Sequence, residues 1–258
     1  MIEFLSAGLS AQAFAAALAV TFLAGLVKGT VGFAMPMILV SAFAIFLPPN
    51  LALAGLILPT LATNLSQAFR QGLPAARQTA FTYRRFLIAT VICIAISAPF
   101  SDAIPRNLYL LLLGVPITAF AALQLMGVSL AIQLRHQDRA EWGLGVIGGL
   151  YGGISGIWGP PLLVFLLSTG ADKVQAIRAQ GVVFLIGAVA LLVAHLGTGV
   201  ANGPTLAFSA ALAVPALAGL YLGYAVQDRL DQQRFRRWTQ GLLVVTGLNM
   251  VRLALTGP

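Results

Sequence analysis

The segment Lys28-Gly29-Thr30-Val31-Gly32-Phe33-Ala34-Met35-Pro36 interrupts the middle of an apolar run that spans residues 12–47. The chain repeats the interruption as Gly152-Gly153-Ile154-Ser155-Gly156-Ile157-Trp158-Gly159-Pro160-Pro161, with Gly25, Gly29, Gly32 and Pro36 falling on Gly149, Gly153, Gly156 and Pro160 at one fixed offset. A helix that restarts inside a membrane presents N–H groups and the positive end of its dipole. Proline suits the first turn, where its missing N–H costs nothing, and glycine lets a ligand approach the backbone. The chemistry is anion binding by backbone amides, with Thr30 and Ser155 adding hydroxyl donors. The same glycines equally suit close helix packing. Lys28 is the only lysine inside an apolar segment. An ammonium at that depth costs at least ~2.5–3.5 kcal/mol, a cost that attraction of an anion would explain. Snorkelling to an interface is its other use. The counterpart position is Gly152, so the two breaks are not equivalent.

Further polar residues stand within the apolar runs. Thr60, Thr63, Asn64 and Gln67 recur at helical spacing and share one face, suited to lining a path or to bonding a neighbouring helix. Gln180 holds a related place in the second half, two residues after Arg178, which can serve as loop charge or reach a substrate. Trp158 can wall a site or simply pack. His195, a lone imidazole, reads as structural before proton-carrying. Gly219 and Gly223 suit helix contact within one chain or between two copies in a homodimer. All seven acids (Glu3, Asp102, Asp138, Glu141, Asp172, Asp228, Asp231) fall in expected loops or at span ends. No carboxylate for proton or sodium coupling is therefore expected inside the membrane. No nucleophile–base constellation, phosphate loop or metal motif is visible, so an enzyme, a cofactor and a metal are not expected. The single cysteine, Cys93, cannot form a disulfide within the chain.

These residues must be positioned by membrane helices. Of 258 residues, 59% are hydrophobic and 9% charged, with mean hydropathy +0.92, far from the roughly one-quarter charged residues of a soluble domain. The net charge of +8 sits in short loops, where membrane orientation explains it and nucleic acid does not. Met1–Phe4 carries no basic n-region, so a cleaved leader is not expected. Spans are expected at 50–69, 86–101, 107–132, 174–196, 205–226 and 238–256, leaving 12–47 and 142–169 as broken segments. If each broken segment crosses once, the arginines and lysines divide evenly between the two sides. If each is a hairpin, one side receives Arg70, Arg77, Arg84, Arg85, Arg135, Arg139, Lys173, Arg178, Arg229, Arg234, Arg236 and Arg237, and the other only Arg106 and Arg252. The positive-inside rule favours hairpins, either re-entrant or fully crossing. The fold expected is an all-α polytopic membrane protein of two inverted-topology repeats, 1–134 and 135–258. Each repeat is a Gly/Pro-broken hairpin plus three transmembrane helices. Both termini face outward, and the polar linker is Arg135–Glu141. Such repeats place a substrate site near the midplane at their interface.

The duplicated break, with Gly149-Leu150-Tyr151-Gly152-Gly153-Ile154-Ser155-Gly156-Ile157-Trp158-Gly159-Pro160-Pro161-Leu162-Leu163 in the second half, resembles the sulfite exporter TauE/SafE family of membrane permeases. The likeness covers nearly the whole chain. It implies movement of sulfite, sulfoacetate or another organosulfonate across a bacterial inner membrane, and it carries over Gly29, Gly32, Pro36, Gly153, Gly156, Gly159 and Pro160. The chain departs in Lys28 and Met35, and has no cysteine near either break for a cysteine-relay uptake of thiosulfate. A secondary transporter exporting a small anion is therefore expected, its substrate held by these residues together with Lys28, Thr30, Asn64, Gln67, Ser155, Trp158, Arg178 and Gln180. Outward movement of an anion needs no coupling when the cell interior is negative, since the potential supplies about 2.3 kcal/mol per charge per 100 mV. An anion channel and a membrane scaffold without transport are the alternatives.

Overall fold

A computed structural model of the chain describes residues 5–226 and 232–256; Arg229 and the acids Glu3, Asp228 and Asp231 lie outside the described residues. The elements are α1 Ala11–Val31, α2 Met35–Phe46, α3 Pro49–Ala68, α4 Leu73–Thr82, α5 Arg84–Ser97 with a 3-10 turn Ala98–Ala103, α6 Arg106–Leu125, α7 Gln137–Ser155, α8 Gly159–Ser168, α9 Lys173–Thr198, α10 Gly203–Val226 and α11 Gln232–Thr256. Among the described residues six helices are long and apolar enough to cross a membrane: α1, α3, α5 with its following turn, α6, α9 and α10; α11, over the span expected at 238–256, is not one of them. The arms after the breaks are short. At 12 and 10 residues, α2 and α8 reach about 18 and 15 Å, well under the ~30 Å hydrocarbon core.

Three sequence expectations need correction. The helix expected over 107–132 ends at Leu125, because Gly127 takes a left-handed φ of 75° and its N–H closes on Gln124. The linker Arg135–Glu141 is helical from Gln137, and Glu141 is buried rather than solvated. The stretch after Arg70, read as loop, contains α4. Its inward positions Ala76, Thr79 and Tyr83 are spaced for one helical face, a period masked in the sequence by the surrounding arginines.

The chain forms two compact units, and neither is a sequence half. The first takes residues 1–59, 102–129 and 200–258; the second takes 60–101 and 130–199. In the first unit α1 packs along α10 through four glycines. A methyl group on Gly29 would lie 2.8 Å from the Cα of Gly223, and one on Gly223 would lie 2.5 Å from the Leu26 oxygen; Gly25 and Gly219 continue the seam. Gly219 and Gly223 therefore serve a contact within the chain. In the same unit α6 and α11 cross at Gly114 and Gly247. Pro59 deprives the Gly55 carbonyl of its helical donor. Ser209 of α10 repairs the ladder, its Oγ donating to the Gly55 oxygen at 3.3 Å and accepting from the Leu58 N–H at 3.0 Å.

In the second unit α7 packs along α5 through Gly145, Gly149 and Gly153, whose missing side chains leave room for the backbone of Phe86, Thr90 and Ile94. Thr90 and Ser97 donate across the seam to the Gly145 and Gly149 carbonyls. Glu141 accepts from the Phe86 N–H at 3.2 Å, capping α5 from a different helix. Arg85 pairs with Asp138 at 2.6 Å and lies 3.6 Å from Glu141.

Candidate functional site

The candidate residues divide between the two units. In the first, α1 runs unbroken through Lys28, Gly29 and Thr30, so the interruption is narrower than the sequence suggested: Gly32, Phe33 and Ala34 only. Gly32 ends α1 in the left-handed region at φ 88°, its N–H returning to the Lys28 carbonyl at 2.8 Å. Ala34 precedes α2 at φ 77°, a conformation that costs an L-residue about 1–2 kcal/mol. Pro36 occupies the first turn of α2, where proline fits without loss of a hydrogen bond. Gly29 lies inside α1 on the α10 seam. Thr30 Oγ1 donates back to the carbonyls of Val27 and Leu26, so its hydroxyl proton is committed to the helix. Lys28 stands in the last turn of α1 and is only 1% exposed. A cation there is favoured by the negative end of the helix dipole, by up to ~2 kcal/mol.

In the second unit α7 ends at Gly156, φ 72°, whose N–H closes on the Gly152 carbonyl at 2.7 Å. Ser155 Oγ donates to the Tyr151 carbonyl at 2.6 Å and accepts from the Ile157 N–H at 3.1 Å. Gly159 begins α8, followed by Pro160 and Pro161 in its first turn. Two of the first three N–H groups of this restart therefore do not exist, and its backbone offers fewer donors to an anion than the α2 start does. Gly153 lies within α7; its carbonyl meets His195 Nε2 at 3.1 Å, and His195 Nδ1 meets Thr198 Oγ1 at 3.3 Å. Only an N–H can face a carbonyl, so the imidazole carries a proton on Nε2. The lone histidine of the α9 span holds the last turns of α7.

Trp158 is the best-defined member of this site. It is 2% exposed, and its indole fills a slot left by Gly152 of α7 and Gly187 of α9. A methyl on Gly152 would meet the ring at 2.9 Å and one on Gly187 at 2.7 Å. Phe184 closes the slot edge-on, ring centroids 6.3 Å apart. The indole Nε1 is buried with no hydrogen-bond partner. Gln180, Phe184 and Gly187 follow helical spacing, so Gln180 shares the face of α9 on which Trp158 sits. Its Oε1 is likewise buried without a partner, as is Thr60 Oγ1. Gln67 holds the adjacent face of α9, donating to the Ile177 carbonyl at 3.0 Å, beside Gly181, whose bare Cα lets α3 approach. Asn64, fully buried, stands one turn earlier on α3. Arg178 donates to Gln71 Oε1 at 3.0 Å, and its Nε has no partner. A cavity of 140 Å³ opens nearby among Tyr83, Glu141, Thr169 and Gln175. Burial raises the Tyr83 phenol above its ordinary pKa, opposed by the Gln175 hydrogen bond and the Arg178 charge.

Sequence reasoning missed the slot. Gly187 and Phe184 were invisible as site residues because glycine and phenylalanine in an apolar helix signal nothing by type. Only their spacing from Gln180 marks the stripe.

A family model described as sulfite exporter TauE/SafE matches residues 17–250. No curated protein and no solved structure matches.

Proposed function

The chain belongs to the sulfite exporter TauE/SafE family, and we propose that it exports a small sulfur-containing anion, sulfite or an organosulfonate, across a bacterial inner membrane by alternating access. Membership makes it a multi-pass membrane transporter and not an enzyme. The observation that carries the anion reading is the pair of helix interruptions inside apolar segments, each closed by a left-handed glycine and restarted on a proline. Irregular backbone at membrane depth is tolerated where it lines a cavity or is buried in protein. Lys28 supplies the positive charge at the first interruption. At the second, the Trp158 indole N–H supplies a neutral donor, with the amides of Asn64, Gln67 and Gln180 and the Arg178 guanidinium as further ligands. Gly32, Pro36, Gly156, Gly159 and Pro160 shape the turns, while Gly29 and Gly153 bring the neighbouring helices close. Thr30 and Ser155 would have to release a backbone carbonyl before donating to substrate.

An inverted repeat accounts for the helix pattern. The order α1, α2, α3, α5, α6 is echoed by α7, α8, α9, α10, α11, with α4 extra. The seams exchange in step: α1 lies on α10, and its counterpart α7 lies on α5, the counterpart of α10. Three helices after each hairpin, α3, α5 and α6 in the first repeat and α9, α10 and α11 in the second, would invert the second repeat and put both termini outside.

The decisive experiment is a thermal-shift screen of the purified protein against sulfite, sulfate, thiosulfate, sulfoacetate, taurine and carboxylate controls, followed by flux in liposomes. Selective stabilisation by a sulfur oxyanion is expected, and a ligand at 100 times its Kd adds about 2.7 kcal/mol. Equal response to carboxylates would overturn the substrate class; absent flux would overturn transport.

A further inference from the structure

We propose that α4 and the start of α5 form a docking site for an anionic phospholipid. The helix joins two spans, α3 and α5, so it lies at a bilayer surface whichever way the protein faces. One side, Ala76 and Ala80, packs on Val182, Leu185 and Ile186 of α9. Beside it, and sharing Ala80, lies an open groove of 890 Å³ lined also by Leu73, Pro74, Arg77, Gln78, Phe81 and Arg84. Leu73 and Phe81 are each 67% exposed there, an arrangement that water alone would penalise and an acyl chain would cover.

Charge selects the headgroup. Arg84 stacks over the Phe81 ring at 4.4 Å and donates to the Phe81 carbonyl at 3.3 Å, which holds its guanidinium at the groove. The nearby acid Asp138 is engaged by Arg85; Arg77 and Arg84 have no acidic partner among the described residues. Two guanidiniums at the rim of an apolar groove match a lipid phosphate above an acyl chain. The second half of the chain has nothing equivalent: Gly199 to Asn202 joins α9 directly to α10. The groove is therefore a feature of one repeat only, and its residues are distinct from those assigned to the transported anion.

The test uses the full protein in detergent, with native mass spectrometry and thermal shift, against phosphatidylglycerol, phosphatidylcholine and soluble glycerol phosphate. Phosphatidylglycerol is expected to bind more tightly and stabilise more than phosphatidylcholine, and glycerol phosphate to do neither. Each arginine near a charged surface is worth about fivefold in affinity. Arg77→Gln with Arg84→Gln should therefore lose most of the lipid selectivity, and lysine at both positions should keep it. If the double variant misfolds, Arg77→Gln alone should weaken phosphatidylglycerol binding about fivefold. Equal binding of the two lipids, selectivity surviving in the glutamine variants, or capture of glycerol phosphate alone would each overturn the proposal.

Discussion

Lys28 and Trp158 are buried polar side chains, each beside a helix interruption. Lys28 is 1% exposed, and an ammonium at membrane depth carries an insertion cost of at least ~2.5–3.5 kcal/mol. Lys28→Met should lower anion flux about tenfold or more, the worth of a charged hydrogen bond. A stable Lys28→Met protein with wild-type flux would remove Lys28 from the mechanism. Trp158 presents a subtler case, because its ring is held by shape and its N–H by nothing. Phenylalanine keeps an aromatic ring in the slot between Gly152 and Gly187 and deletes the buried donor, whose burial costs about 1–3 kcal/mol. Trp158→Phe should fold at least as well as the parent and bind sulfite several-fold more weakly by isothermal titration. Undiminished binding would assign Trp158 to packing alone. Lys28 was conspicuous in the sequence because charge in an apolar run is rare. The use of Trp158 was not, since its slot depends on Gly187, which comes close only in three dimensions.

At the scale of the helix, glycines that look alike in sequence do two different jobs. Gly32 and Gly156 end helices at positive φ, whereas Gly29 and Gly153 have helical backbone and face another helix's main chain. The duplicated glycine pattern made the interruptions legible, but could not separate caps from seams, because both uses demand the same missing side chain. Alanine separates them. Gly153→Ala drives a methyl group to 2.8 Å from the Ile94 oxygen and should destabilise by about 1–3 kcal/mol through overpacking. Gly32→Ala should lose about 1–2 kcal/mol through left-handed strain and leave the α1–α10 seam intact. The converse substitution, Ala34→Gly, should relieve strain of similar size at φ 77°. Thermal-shift measurements on the three variants check the signs; a stabilised Gly153→Ala would refute the seam.

At the scale of the whole molecule, the chain passes between its two compact units four times, at Pro59, Ser101, Ser129 and Gly199. Three of these points lie outside α-helix, and the fourth is a proline within one. Pro59 interrupts the ladder of α3, Ser101 falls in a 3-10 turn, Ser129 in non-helical chain and Gly199 at φ 82°. The sequence divides most simply into halves, and the compact units interleave them, because α10 and α5 each pack on the hairpin of the other half. A local sequence pattern carries no information on such an exchange. The alternating access proposed above requires bodies that move with little internal distortion, and a proline inside a helix offers a bending point between them. Pro59→Ala tests this where the cost is best defined. Alanine restores the N–H that Gly55 lacks, and proline inside a helix costs about 3 kcal/mol. Ser209 recovers part of that cost by donating to Gly55, so a gain of about 1–2 kcal/mol in stability is expected after this repair. If α3 bends at Pro59 during transport, the stiffened helix slows turnover in liposomes while sulfite affinity stays at the parent value. Ser209→Ala serves as the opposite control, leaving the Gly55 carbonyl without its donor and lowering stability by about 1–3 kcal/mol. Parent-level turnover in a more stable Pro59→Ala protein would show that α3 moves as one rigid rod, and that the bending lies at the other crossings.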